Sequence, residues 1–180
     1  MRLLLKPVVS VVVLSALVWG MQLAPAHAED TTPVPEAVES ARADAGAPQA
    51  VSNDDVELPE DADEPAVLSV GESALEMSIP SSGEAEAVDD STAVFSDGDA
   101  SIAVQSTAEG MRALIHIDSA DAPERYEFEM GGDVAALEPA PGGGVVALNA
   151  DGEAIAIAPA PWAVDADGVD VPTHFEIEGT

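Results

Sequence analysis

The sequence of 180 residues contains no cysteine, and this absence removes several kinds of chemistry. Disulfide bonds, thiol catalysis and metal sites with cysteine ligands are excluded. No Gly-x-Ser-x-Gly motif is present, so a serine nucleophile lacks the turn that would expose it. Aromatic residues make up only 3% of the chain. A glycosidase can work with two carboxylates, but such enzymes also present several aromatic rings to the sugar, and few are available here.

Basic residues are also scarce. The chain has 5 Lys+Arg against 35 Asp+Glu, which is a formal net charge of −30 at pH 7. A protein this acidic repels phosphate backbones, which excludes an electrostatic nucleic-acid binder. Lys6 is the only lysine and lies at the amino terminus. The rest of the chain therefore supports neither Schiff-base chemistry nor a phosphate-binding lysine.

The amino terminus has the pattern of an export signal. Two basic residues precede a largely apolar run from Val8 to Trp19, and the small residues Ala26 and Ala28 occupy the positions that signal peptidase recognises. An uncleaved membrane anchor is the alternative, but a spanning helix needs roughly 20 apolar residues and this run is shorter. We predict a Sec-type signal peptide over residues 1–28, cleaved after Ala28, and a secreted product without a membrane segment.

The composition of residues 29–66 predicts a disordered acidic linker. This segment is rich in Asp, Glu, Pro and Ala, contains a single arginine, Arg42, and has no aromatic residue. Its apolar surface is too small to offset the conformational entropy that folding would cost. We interpret the segment as a solvated tether, since nothing in it marks a specific recognition motif.

From about Val67 the sequence takes on the pattern of a β-domain. Short apolar–polar alternations recur, as half-buried strands require. The alternating segments are Leu75–Ile79, Ile102–Val104, Met111–Ile117, Tyr126–Met130 and Phe175–Ile177. Two further strand-sized segments, Val145–Leu148 and Ala154–Ala158, flank the sequence Asn149–Gly152, which is a good hairpin connection.

These segments predict a mostly β fold for residues 67–180. Glycine-rich and Asp-Gly turns separate them, and no stretch of useful length has helical periodicity. An antiparallel β-sandwich or a partly open barrel of roughly seven to nine strands fits the spacing. The many Ala and Val positions predict a thin core.

The candidate catalytic residues are few. His116 and His174 are the only histidines after the signal peptide, and His174 lies beside Glu176 on the polar face of the last predicted strand. A histidine next to a carboxylate can serve as a base or as half of a metal site. In so acidic a chain this adjacency is expected by chance, so we interpret it as a solvated strand face and predict no catalytic residue.

Asp165, Asp167 and Asp170 are the candidate metal ligands. They place three carboxylates around Gly168 in one short turn, and calcium prefers several oxygen ligands close together. The turn lacks the further alternating oxygen ligand and the distal glutamate of an EF-hand loop. Asp-Gly is also a common composition for an ordinary turn. Calcium is therefore the one cofactor that the sequence leaves open, and no other is predicted.

One distinctive stretch lies near the end of the sequence. It reads Pro161-Trp162-Ala163, then an Asp165–Gly168 turn, then Val171-Pro172-Thr173-His174-Phe175-Glu176. Together with residues 112–117 and 123–128, it resembles a family of secreted β-rich proteins of actinobacteria, over about residues 67–180. The resemblance implies an exported β-domain. It implies no mechanism, because that family has no assigned activity.

One structural expectation follows from the resemblance, and two follow from the residue types of the stretch itself. Members of the family continue with a further strand, so the β-domain of this sequence is expected to be either truncated or naturally short. Within the distinctive stretch we expect Trp162 to pack onto the sheet beneath the Asp165–Asp170 turn, and Pro172 to set the start of the last strand.

The sequence as a whole predicts a secreted, non-catalytic β-domain that binds an extracellular or cell-envelope protein or glycan. One alternative is a calcium-dependent adhesive or carbohydrate-binding module that uses the Asp165–Asp170 turn. Another is the exported amino-terminal module of a longer secreted enzyme or toxin. The acidity fits a high-salt habitat or GC-rich coding equally well, and it identifies no function.

Overall fold

The computed structural model describes residues 2–7 and 49–179. Most of the predicted signal peptide, including its cleavage site, and the first part of the predicted linker, residues 29–48, lie outside the described residues. Across the described ranges, no helix is both long and apolar enough to cross a membrane.

The described residues form β-strands, one short 3₁₀ turn at Pro141–Gly143 and no α-helix. The strands are β1 (Arg2–Pro7), β2 (Val56–Glu57), β3 (Ala66–Val70), β4 (Ser73–Met77), β5 (Glu86–Asp89), β6 (Thr92–Asp97), β7 (Ala100–Thr107), β8 (Gly110–Ile117), β9 (Tyr126–Gly132), β10 (Ala136–Pro139), β11 (Val145–Leu148), β12 (Ala154–Ala158) and β13 (Thr173–Glu178).

Three sheets result from the pairing of these strands. A six-stranded sheet has the order β13-β1-β9-β4-β3-β2, a four-stranded sheet the order β5-β6-β7-β8, and a three-stranded sheet the order β10-β11-β12. Every pairing is antiparallel, and the sheets do not close into a barrel. The predicted mostly β, antiparallel fold is confirmed, and the arrangement is consistent with the sandwich alternative. The prediction of seven to nine strands for residues 67–180 was too low, because short strands such as β5 and β10 carry little alternation to reveal them.

The main core lies between the sheets and draws on all three. Its larger members are Leu75, Met77, Phe95, Ile102, Val104, Ile115, Tyr126 and Phe128, with Ala147 from the three-stranded sheet. Phe95 is fully buried, and burying a phenylalanine side chain contributes about 2–3 kcal/mol. Small residues such as Ala66 and Ala93 fill the positions between these side chains, in agreement with the predicted preponderance of Ala and Val.

The folded domain begins earlier in the chain than predicted, which corrects the linker boundary at residue 66. The amide of Val51 donates to the carbonyl of Ser106, and β2 pairs with β3. Leu58 packs against the main core, and Ala62 is part of it. The acidic composition concealed this, because a few apolar side chains and backbone hydrogen bonds to an existing sheet suffice to hold a segment that could not fold alone.

The hairpin predicted at residues 149–152 is confirmed. β11 and β12 pair antiparallel on either side of it. One side-chain oxygen of Asn149 accepts hydrogen bonds from the amides of Asp151 and Glu153, at 3.0 and 2.9 Å. Gly152 has φ of 79°, a conformation that favours glycine, so the residue types of this turn match its backbone.

β1 occupies an unexpected position inside the six-stranded sheet. It belongs to the segment predicted as a signal peptide, yet it pairs antiparallel with β13 along its whole length and with β9 over Arg2–Leu5. Within the described residues, β1 is the hydrogen-bonded neighbour that connects β13 to the rest of the sheet.

Candidate functional site

An apolar cleft between the sheets is the best candidate for a binding site. Its volume is about 530 Å³, within the range of ligand sites in proteins, roughly 300–1,000 Å³. Side chains from several strands line it, among them Leu68, Leu75, Met77, Met111, Ile115, Phe128, Met130 and Ala156, with Trp162 and Phe175. Flexible methionine side chains and broad aromatic rings suit a ligand of irregular apolar shape.

Exposed apolar side chains border the same cleft. Val70 and Ile157 line it, and their exposed fractions are 38% and 69%. Polar side chains are fewer and include Asn53, Asp55 and Arg112. A mostly apolar lining with a small number of polar groups is the usual composition of a small-molecule or side-chain binding site. The cleft is therefore suited to an apolar ligand.

Arg112, on one wall of the cleft, is held by a polar row that crosses the four-stranded sheet. Its Nε and Nη2 donate to the amide oxygen of Gln105 at 3.0 and 2.7 Å, and Nε2 of Gln105 donates to the hydroxyl of Thr92 at 3.3 Å. The three residues are direct cross-strand neighbours on β8, β7 and β6. Because Gln105 and Thr92 are buried, the row positions the arginine rather than leaving it mobile.

Trp162 forms part of the cleft wall and joins two parts of the core. It packs against the main core and also against a second cluster formed by Val94, Ala103 and Leu114. That cluster lies on the opposite face of the four-stranded sheet from Phe95, Ile102 and Ile115, and it accounts for the burial of Ala103 of β7. The expectation that Trp162 packs onto a sheet agrees with this placement.

The Asp165–Asp170 segment forms a tight turn whose first carboxylate is already engaged. Oδ1 of Asp165 accepts hydrogen bonds from the amides of Asp167 and Val169, each at 2.9 Å. Its backbone carbonyl accepts from the amide of Gly168. Among the described residues, no three His, Cys, Asp or Glu side chains come together to hold a metal ion. The turn is thus explained by its own hydrogen bonds, and calcium at Asp165, Asp167 and Asp170 stays a prediction.

The two histidines lie on different sheets and do not form one site. His116, on β8, is 5% exposed, and its Nδ1 lies 3.0 Å from Oδ1 of Asp118 without forming a well-aligned hydrogen bond. His174, on β13, is exposed, with Nε2 3.6 Å from Oε1 of Glu176. The adjacency of His174 and Glu176 predicted from alternation is thus present on a solvated strand face.

Two groups have pKa values that the fold displaces. Burial raises the pKa of Tyr126 to about 12 from an ordinary value of 10.0, because removal from water disfavours the charged phenolate. The Ser91 hydroxyl and amide, both donating at 2.7 Å, lower the pKa of Asp89 below 3.8. Neither residue lines the apolar cleft, so these shifts reflect local packing and turn formation and not catalysis in the cleft.

A smaller cavity of about 290 Å³ lies elsewhere, beside Arg125 and Tyr126. Pro80, Asp97 and Ile102 also line it. Its volume is at the lower limit of ligand sites, and it offers less apolar surface than the cleft. The larger cleft is therefore the stronger candidate.

Comparison with known proteins adds no relative. No protein-family model, no curated protein and no solved structure matches the chain.

Sequence reasoning did not find the cleft. Its lining residues come from strands distant in the sequence, such as Leu68, Met111 and Ile157, and single-strand alternation cannot show which of them face one another.

Proposed function

We propose that this protein is a secreted, non-catalytic binding domain whose apolar cleft receives an apolar ligand at the cell envelope or outside the cell. The observation that carries the proposal is the cleft of about 530 Å³ lined by Met, Leu and aromatic side chains. Contiguous apolar surface that is open to solvent commonly marks an interaction or ligand-binding site.

Export is part of the proposal and rests on the amino-terminal sequence pattern. The distinctive stretch that includes Trp162 supports the same proposal through its resemblance to secreted actinobacterial β-domains. Trp162 lines the cleft, which gives that stretch a physical role as a cleft wall.

The ligand test uses a neutral apolar fluorophore, N-phenyl-1-naphthylamine, because an anionic dye would be repelled by the protein. We expect saturable binding with an increase in fluorescence. Ala156→Trp should reduce binding at least tenfold, since Ala156 is half-buried in the cleft and the larger ring would fill it. Ala150→Trp, at the exposed turn of the β11–β12 hairpin, is the matched control and should bind as the unmodified protein does.

The proposal also has clear contrary outcomes. Absence of saturable fluorophore binding, or equal binding by the Ala156→Trp and Ala150→Trp variants, would exclude the cleft as the site. A reproducible hydrolytic activity abolished by His116→Ala or His174→Ala would show that the domain is catalytic. The intact mass of the exported protein tests export directly, because cleavage after Ala28 removes the first 28 residues.

A further inference from the structure

We propose that the exported protein contains an open strand position between β9 and β13, and that an extended segment of another protein, with alternating apolar and basic side chains, binds there as a β-strand. The inference rests on the proposed export, because removal of residues 1–28 removes β1. In the structure β1 fills this position and pairs with β9 on one side and β13 on the other.

The geometry of the position is set by the two strands that remain. Neighbouring strands lie about 4.8 Å apart, so loss of β1 leaves a space of about 10 Å between β9 and β13. Both strands run antiparallel to β1, so an incoming strand can hydrogen-bond to both edges in the same orientation. A strand that gains two rows of backbone hydrogen bonds is held more strongly than one added at a sheet edge.

One face of the position is apolar. In the register of the sheet, Leu3 lies opposite Phe128 and Ile177, and Leu5 lies opposite Tyr126 and Phe175. Directly opposed residues share a face of the sheet. Tyr126 and Phe128 are buried, and Phe128 and Phe175 also line the apolar cleft. An incoming strand therefore needs large apolar side chains at these two alternate positions.

The other face is acidic. Arg2 lies opposite Glu129 and Glu178, and Leu4 lies opposite Glu127 and Glu176. Four carboxylates on one face of two strands favour a basic side chain between them, because like charges facing across strands are destabilising. Arg125 lies 3.8 Å from both Glu176 and Glu178 and compensates part of this charge at one end.

Residues 29–48, the part of the predicted linker outside the described residues, do not have this pattern. They contain no lysine and are acidic, with Arg42 flanked by alanines. Such a segment offers neither the large apolar side chains nor the positive charge that the two faces require. The proposal therefore assigns the occupant to another protein chain.

The test uses the exported protein and a fluorescent synthetic peptide with the sequence of residues 1–7, Met-Arg-Leu-Leu-Leu-Lys-Pro. We expect saturable binding by fluorescence anisotropy and slower hydrogen exchange of the β13 amides in the presence of peptide. A peptide carrying Arg2→Glu and Lys6→Glu should bind at least tenfold more weakly. A peptide carrying Leu4→Pro should also bind weakly, because proline removes a backbone donor.

Substitutions in the protein distinguish the strand position from nonspecific attraction. The double variant Glu129→Lys with Glu178→Lys changes the two carboxylates opposite Arg2 of the peptide and should reverse the preference between the basic and the acidic peptide. Glu138→Lys on β10 is exposed and lies on another sheet, so it should leave the preference unchanged. Equal binding of the two peptides, or reversal by Glu138→Lys as well, would overturn the proposal. Protection of the β13 amides in the exported protein without peptide would also overturn it, since the strand position would then be closed.

The experiments distinguish failure of the export proposal from failure of the proposed strand binding between β9 and β13. If the intact mass shows that residues 1–28 are retained, the secretion proposal fails, and the strand position is then tested in the full chain. There, the unmodified chain should not bind the peptide because β1 occupies the position, whereas Leu4→Pro in the chain should expose the β13 amides to exchange and allow binding. If Leu4→Pro changes neither measurement, β1 does not hold the position and the inference is wrong.

Discussion

Arg112 donates two hydrogen bonds to the same side-chain oxygen of Gln105, from Nε at 3.0 Å and from Nη2 at 2.7 Å. Gln105 is only 2% exposed, so its amide is almost fully removed from water. The buried amide therefore fixes the orientation of the guanidinium on one wall of the cleft. The pair thereby connects the buried centre of the four-stranded sheet to the candidate site.

Gln105→Ala should lower the free energy of unfolding by about 2–3 kcal/mol, since it removes an acceptor for a charged donor at a buried position. Thr92→Val removes the 3.3 Å hydrogen bond at the far end of the row and the hydrogen bond of the same hydroxyl to Asp89, which is exposed, and should cost about 1 kcal/mol. Urea unfolding monitored by far-ultraviolet circular dichroism measures both. A cost for Gln105→Ala no larger than that for Thr92→Val would contradict the role assigned to the pair.

Gly132→Ala should destabilise the protein by about 1–3 kcal/mol more than Gly71→Ala, because forcing an atom into an occupied site costs about that much. Both glycines have left-handed φ values, 67° and 64°. A Cβ at Gly132 would lie 2.5 Å from the carbonyl oxygen of Ala74, whereas a Cβ at Gly71 would meet nothing within 4 Å. Both variants introduce the same backbone strain, and only Gly132→Ala adds a steric conflict. The difference between them therefore measures the steric conflict. Equal melting temperatures for the two variants would contradict the close approach of β4 and β9 at Gly132.

Tyr126 should ionise near pH 12 and not near pH 10, because burial raises its pKa to about 12. It is the only tyrosine in the chain, so tyrosinate absorbance reports it directly. The unfolded state ionises first, so the stability linked to this residue is complete below pH 10 and is lost as the pH rises from about 10 to about 12. Tyr126→Phe should remove this loss. At neutral pH it should change stability little, since the hydroxyl has no hydrogen-bond partner among the described residues. A midpoint near pH 10 would show that the ring is solvated.

The Asp165–Asp170 turn should be stabilised by its own hydrogen bonds, with or without calcium. Asp165→Ala should cost about 1 kcal/mol through loss of two amide-to-carboxylate hydrogen bonds, and the cost should be the same in calcium and in sodium chloride of matched ionic strength. Asp167→Ala should have little effect in either salt. If the turn binds calcium, millimolar calcium should instead raise the melting temperature of the unmodified protein. Asp167→Ala should abolish that increase in melting temperature. Thermal unfolding of the unmodified protein, Asp165→Ala and Asp167→Ala in the two salts distinguishes a turn held by its own hydrogen bonds from a calcium site.

Local sequence patterns were sufficient to predict the fold class and one complete hairpin. The alternation at residues 126–130 and the composition of the turn at residues 149–152 act over a few residues, because side chains in a strand point alternately to its two faces and certain turns favour Asn and Gly. These signals do not depend on the rest of the chain. They therefore remain recognisable in a sequence that is rich in acidic residues.

Tertiary structure alone decided which faces are buried and where the cleft lies. Ala103 of β7 is buried against Trp162, from a distant loop, and no pattern within β7 encodes that partner. Residues 49–65 join the fold through a sheet already formed by others. The cleft depends in the same way on side chains such as Met111 and Phe175 from separate sheets. Contacts between distant segments follow from how the sheets pack, and packing is a property of the whole chain.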